Sequence, residues 1–158
     1  AVPIALKWPN DLLASGRKLG GILVELLGSG AACHAILGVG INVRVPDYAG
    51  AGIDQAWIDL GQASGVRVDR NLLAAMIITH LHRMQERVRQ RGLDADMRRR
   101  WQARDPFFNR RVVAGSEQGE IRGWGRGIDA RGEFVIETAS EIVTVGAGEV
   151  SLRLDEQA

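Results

Sequence analysis

"KWPNDLLASGRKLGG", residues 7–21, is the stretch on which the fold turns. Two short apolar runs flank Ser15-Gly16, a dipeptide suited to a tight hairpin because glycine accepts the backbone conformation such turns need. If the turn is those two residues, Ala14 pairs with Arg17, Leu13 with Lys18 and Asp11 with Gly20. Paired residues share a face and each strand alternates, so Asp11, Leu13, Lys18 and Gly20 fall on one side. Asp11 and Lys18 are then diagonal neighbours within reach of one long side chain. Gly20 leaves an open place opposite the carboxylate.

The neighbouring segments extend this sheet. Residues 4–8, "IALKW", read as a strand, and "GRKLGGILVELL" continues the hairpin's second arm. "GSGA" at 28–31 marks another turn, and "CHAILGVGINVRV" at 33–45 alternates as a third partner. Short connections between successive strands predict an antiparallel meander. In "GVGIN", Gly38, Gly40 and Asn42 share one parity while Val39, Ile41 and Val43 take the other. That pattern leaves a bare backbone strip ending in an amide side chain, where a flat group could lie. An Asp–Lys diagonal is more often a solvated pair, and a Gly-x-Gly more often a bulge or twist. Both features together, beside a long loop, put a binding site on a level with the bland reading.

Residues 44–56 carry Pro, Gly and Asp without periodicity and read as that loop, and "WIDLGQASG" as a short helix. A long helix follows. Asp69 is its N-cap, Leu72, Leu73, Met76, Ile77, Leu81, Met84 and Val88 recur at helical spacing, and Gly92 ends it. Residues 94–104 form a second, basic helix with Trp101 on its inner side, broken at Asp105-Pro106. From there short β-rich runs alternate with Gly-bearing turns, which predicts a small barrel. The reading is therefore α+β: an antiparallel or mixed sheet with packed helices over 1–105, then a barrel over 106–158.

Composition narrows the classes of function. The 158 residues carry a net charge of +1, which gives no whole-molecule attraction to nucleic acid or anionic lipid. Cys33 is the single cysteine, so no intrachain disulfide forms, which suits a reducing, cytoplasmic setting. No apolar run has the length of a membrane span. The start lacks a signal-peptide pattern and an initiator methionine, and reads as a fragment's start. His80 and His82 are two apart on a helix and cannot chelate one metal, and His34 stands alone, so no metal site is expected. The arginines of residues 83–104 are interrupted by Glu86, Asp94 and Asp96 and read as a solvated face rather than a nucleic-acid surface. "GGILVELL" is apolar enough for a central strand or for an edge that pairs with a second subunit.

Taken together, "KWPNDLL", "GRKLGGILVE", "GVGINV", "QAWIDL", "DRNLLAAM", "FFNRRV", "RGIDARGEF" and "GEVSLRL" resemble the biotin protein ligases. The resemblance implies a catalytic α/β domain followed by a small SH3-like barrel. It implies ATP-dependent activation of biotin to biotinyl-AMP, with Mg²⁺, and transfer to a lysine of a biotin carrier protein domain. It assigns Lys18 to biotin and the reacting carboxyl–phosphate region, and Asp11 to the active site. It places Gly20 and Gly21 along the biotin site, and Asn10, Gly40, Asn42, Ile53 and Trp57 about the nucleotide. The family's Gly-Arg-Gly-Arg-type phosphate loop, which precedes "KWPND", is not among these residues; "RGWGRGID" at 122–129 matches the barrel motif instead. A lipoate-type ligase and a non-catalytic module that binds a carrier protein or nucleic acid are the rival readings.

Overall fold

The computed structural model describes residues 2–29, 33–46, 55–116, 119–148 and 150–155. The chain divides into two compact units, residues 1–75 and 76–158, and the division falls inside a helix that runs through both.

The first unit is a four-stranded antiparallel sheet in sequence order: β1 (Ile4–Lys7), β2 (Asp11–Ala14), β3 (Arg17–Leu27) and β4 (His34–Ile41). The meander expected from the short connections is present. Ser15 and Gly16 both take positive φ, 50° and 73°, the signature of a type I′ hairpin turn whose twist matches its strands. One face of the sheet packs against the chain that follows the loop. Ala14, Leu19 and Ile58 form the buried nucleus there, with Ile4, Ile41, Leu60 and Ala63 against them. Leu60 and Ala63 belong to α1 (Leu60–Ser64), capped by Asp59 at its start and by Gly65 in the left-handed conformation at its end. Toward their far end β3 and β4 carry exposed Leu23, Val24, Leu26, Leu27 and Ile36. Successive strand residues face opposite ways, so both faces of this hairpin are apolar.

The predicted long helix is α2 (Arg70–Arg91). Asp69 Oδ1 accepts from the amides of Asn71 and Leu72, satisfying two of the first-turn donors. Gly92, at φ 62°, stops it. No residue of α2 is buried, and Leu72, Met76, Ile78, Met84 and Val88 are exposed. The described helices include none long and apolar enough to cross a membrane.

In the second unit α3 (Ala95–Gln102) starts at the Asp94 N-cap and packs on β6. Arg87 ties α2 to this start through Asp94 and Asp96, each at 2.9 Å. Arg89 pairs with Glu86 and Arg99 with Asp96, so part of the basic stretch is neutralised on its own surface. Five antiparallel strands follow: β5 (Arg111–Ser116), β6 (Gly119–Ile128), β7 (Phe134–Glu137), β8 (Ile142–Val145) and β9 (Ser151–Leu154), ordered β8-β7-β6-β5-β9. Among the described residues β8 and β9 are not paired, so the sheet is open where a barrel would close. A register shift between Gly125 and Ile128 bends β6. Phe134, Ile136, Val112 and Val113 are the largest fully buried side chains, each stabilising by about 1.5–3 kcal/mol on burial. Phe107 meets Phe134 edge-to-face at 6.3 Å between ring centres.

Asp105 is buried two residues before Phe107. Its Oδ1 accepts from the Phe107 amide at 2.8 Å, while Oδ2 is buried without a partner among the described residues, as is Trp101 Nε1. Burial raises the Asp105 carboxyl to about 6, against the lowering effect of the Phe107 amide. A folded-state value above the unfolded one means that protonation favours the fold. The stabilisation is complete below the ordinary aspartate value and is lost as pH rises through about 6. Thermal unfolding followed from pH 4 to 8 should therefore show a loss of stability between those limits. Asp105→Asn should lack that component, so the difference between the two melting curves changes up to about pH 6 and is level above it. Parallel curves throughout would show that Asp105 titrates alike in the folded and unfolded states.

Candidate active site

A β-bulge decides how the hairpin presents its charges. The ladder pairs Ala14 with Arg17 and Leu13 with Lys18, as the turn predicts, then slips by one residue. Leu12 faces Gly20 and Asp11 faces Gly21, so the expected Asp11–Gly20 pair is corrected to Asp11–Gly21. The inserted residue is Leu19, whose side chain is buried in the nucleus with Ile58. Hydrophobic burial of Leu19 on one side thus keeps Lys18 and Gly21 together on the other.

Lys18 Nζ and Asp11 Oδ1 are 2.6 Å apart, a charge-assisted contact. The Asp11 side chain is 15% exposed and that of Lys18 37%, so the pair is open to a ligand from the lysine side. Across the sheet Lys7, Asp11, Gly21 and Gly40 are successive cross-strand partners. The expected backbone strip is therefore two strands wide beside the ion pair. A methyl group on Gly40 would find nothing nearer than the Gly21 carbonyl at 3.9 Å, whereas one on Gly20 would lie 2.2 Å from the Gly40 carbonyl oxygen. Gly40 is the open part of this ledge, whereas a methyl on Gly21 would lie 3.3 Å from the Asn10 carbonyl oxygen and 3.6 Å from Asp11 Oδ1. Gly20 instead allows close backbone approach on the packed side, opposite Ile41.

Where β4 ends, residues 56–58 take its place beside β3. Lys18 and Trp57 form an isolated parallel bridge, with Lys18 N donating to Ala56 O and Ile58 N to Lys18 O, both at 2.9 Å. Trp57 thus stands next to Lys18. Asn42 does not project freely from the strip's end: its Nδ2 donates to Lys18 O at 3.4 Å and Ile58 O at 3.3 Å. Asn10 is exposed, and its carbonyl accepts from Ile22 N. Ile53 lies outside the described residues.

Asp59 escaped the sequence reading. It is 3% exposed and accepts from Val45 N at 2.9 Å and Gln62 N at 2.7 Å, joining the stretch after β4 to the start of α1. Burial alone would raise its carboxyl; donation from the Gln62, Val45 and Gly61 amides, with the Arg44 charge, outweighs burial and holds it below the ordinary value. An aspartate one residue before "LGQAS" carries the N-cap signal that could have found half of this role. A cleft of about 1130 Å³ opens beside Arg44, Asp59, Arg67, Asp69 and Arg70. Lys18, Asp11 and the ledge do not line it, and its two carboxylates are already committed to backbone amides.

Two family models match the chain: residues 1–42 fit the biotin/lipoate A/B protein ligase family, and residues 107–153 the biotin protein ligase C-terminal domain. The chain belongs to the biotin protein ligase family. The bifunctional ligase/repressor BirA of Escherichia coli is 42% identical over 155 residues, which cover 98% of this chain and 48% of that protein. The biotin–[acetyl-CoA-carboxylase] ligase of Mycobacterium tuberculosis is 35% identical over 156 residues, covering 95% of this chain and 54% of that one. The biotin protein ligase of Aquifex aeolicus in complex with biotin and ATP shares the fold at a TM-score of 0.79 and 24% identity, over 98% of this chain and 63% of that one. The chain thus spans about half the length of the E. coli and M. tuberculosis ligases.

The two kinds of glycine near the ion pair separate by substitution. Gly20→Ala should destabilise the protein by about 1–3 kcal/mol, because the new methyl meets backbone. Gly40→Ala should change stability by less than about 0.5 kcal/mol. Urea unfolding of both variants measures this; equal losses would mean the ledge is packed rather than open.

Proposed function

We propose that this chain supplies the lysine, the acid and the adenylate-covering tryptophan of a biotin protein ligase. The reaction joins biotin's carboxylate to the α-phosphate of ATP, expelling pyrophosphate, and then transfers the biotinyl group to the ε-amine of a carrier-protein lysine, expelling AMP. The observation that carries the reading is the Lys18–Asp11 contact of 2.6 Å beside the Gly21–Gly40 ledge. The C-terminal match, to a biotin protein ligase domain, favours biotin over lipoate.

A carboxylate is already an anion at neutral pH, so the first step needs no general base. It needs a cation to offset the repulsion between carboxylate and phosphate. Lys18 provides a compact charge on a flexible stem, held in register by the hairpin. When Lys18 turns to the substrate, Asp11 is left with a free oxygen. That oxygen can orient the incoming carrier ammonium and accept its proton, which frees the nitrogen lone pair for attack on the acyl carbon. Trp57, beside Lys18, covers the mixed anhydride against water.

No three His, Cys, Asp or Glu side chains converge among the described residues, so they form no cage for Mg²⁺. The ion, where used, comes with the phosphates of ATP. The boundary near residue 106 and the SH3-like barrel belong to the same proposal. They are supported by the start of the C-terminal match at Phe107 and by the bend in β6.

Biotin-dependent exchange of pyrophosphate into ATP tests this reading. Lys18→Ala should slow exchange by about 10²–10³. Asp11→Asn should slow transfer to the carrier more than it slows exchange. Exchange at the wild-type rate in Lys18→Ala would remove the lysine from the chemistry.

A further inference from the structure

Asn42 spends all of its described hydrogen bonds on main chain. Its amide N–H donates to Leu19 O at 2.8 Å, and its carbonyl accepts from Leu60 N at 2.8 Å. Its side-chain nitrogen donates to both Lys18 O and Ile58 O. The residue therefore joins three pieces of chain: the end of β4, the bulge of β3, and residues 58–60. Among the described residues the main chain of 56–58 pairs with β3 through an isolated bridge rather than a continuous ladder, with Ile58 packed on Leu19 beside it. A short pairing of that kind opens readily unless something outside it adds bonds.

We propose that Asn42 is a positioning residue that fastens the main chain beneath Trp57 to the main chain beneath Lys18. The Lys18 carbonyl accepts from two donors at once, Ile58 N and Asn42 Nδ2, and the Ile58 carbonyl takes the second proton of the same amide. One planar –NH2 group thus bridges the two carbonyls that flank the Lys18–Trp57 bridge. No other uncharged side chain of this size offers two donors from one atom. The fastening fixes the distance between the cation and the ring. Its value to adenylate chemistry rests on the function proposed above, but the fastening itself does not.

The test uses the full chain and two substitutions. Asn42→Asp keeps the shape, removes both donors and sets a carboxylate against two carbonyl oxygens. Asn42→Ala removes the donors and leaves a space. Native-state hydrogen exchange by NMR reads the Lys18 and Ile58 amides, which close the bridge, with the Ile22 and Gly38 amides of the β3–β4 region as internal controls. Exchange at the bridge should rise by about five- to tenfold in both variants, and at least as much in Asn42→Asp as in Asn42→Ala, with the controls unchanged. The chain has four tryptophans, so 5-fluorotryptophan labelling should give four ¹⁹F resonances. The one assigned through Trp57→Phe should broaden or shift in the same order. A space-filling role predicts the opposite order, with Asn42→Asp close to wild type. Wild-type protection of the bridge amides in both variants, or that reversed order, would overturn the proposal. Pyrophosphate exchange measured on the same samples keeps the two readings apart. Loss of bridge protection together with pyrophosphate exchange that Lys18→Ala leaves unchanged would uphold the fastening and sink the ligase reading.

Discussion

One inserted residue in β3 governs what the first unit can present. Leu19 drops into the nucleus with Ala14 and Ile58, and the alternation of the strand breaks there. Without that break Lys18 and Gly20 would face one way and Gly21 the other. With it, Lys18 and Gly21 face the same side, the ion pair with Asp11 closes at 2.6 Å, and the ledge lies directly across from the acid. Burial of a leucine side chain, about 1.5–3 kcal/mol, exceeds what an exposed ion pair contributes by itself. The charges are placed by the hydrophobic side of the sheet, not by their mutual attraction.

The return of the chain at residues 56–60 is organised by polar groups in the same economical way. Asp59 satisfies amides on both Val45 and Gln62, and Asn42 satisfies carbonyls on both Lys18 and Ile58. Each bonded pair includes one group before residue 47 and one after 54, or one from the bulge of β3. Two side chains thus hold together segments that share little continuous pairing. Buried or half-buried polar groups of this sort specify one arrangement because every alternative leaves a donor or acceptor unsatisfied.

Much of this was legible in the residues. Ser15-Gly16 marked the hairpin, the parity of "GVGIN" marked the ledge, and Asp69 and Gly92 bounded the long helix. The bulge was not legible, because "KLGG" alternates acceptably in either register and only the pull of Ile58, some forty residues away in the chain, selects one. The partners of Asn42 were hidden for the same reason: they lie 16 and 24 residues away, and an amide after a glycine strip looks free until the chain returns. Gly20 and Gly21 look equivalent as letters, and only the approach of the Gly40 carbonyl separates them. In the second unit the short Gly-punctuated runs foretold the strands, but their count does not dictate whether the first and last of a sheet meet.

Lys18 is engaged at both levels of its structure, its ammonium by Asp11 and its peptide groups by Ala56 and Ile58. Peeling residues 56–58 away would strip two bonds from the very peptide units that carry the lysine stem. Displacing residues 56–58 and loosening the lysine stem are consequently one mechanical event, so the position of Trp57 and that of the Lys18 ammonium are coupled through the main chain.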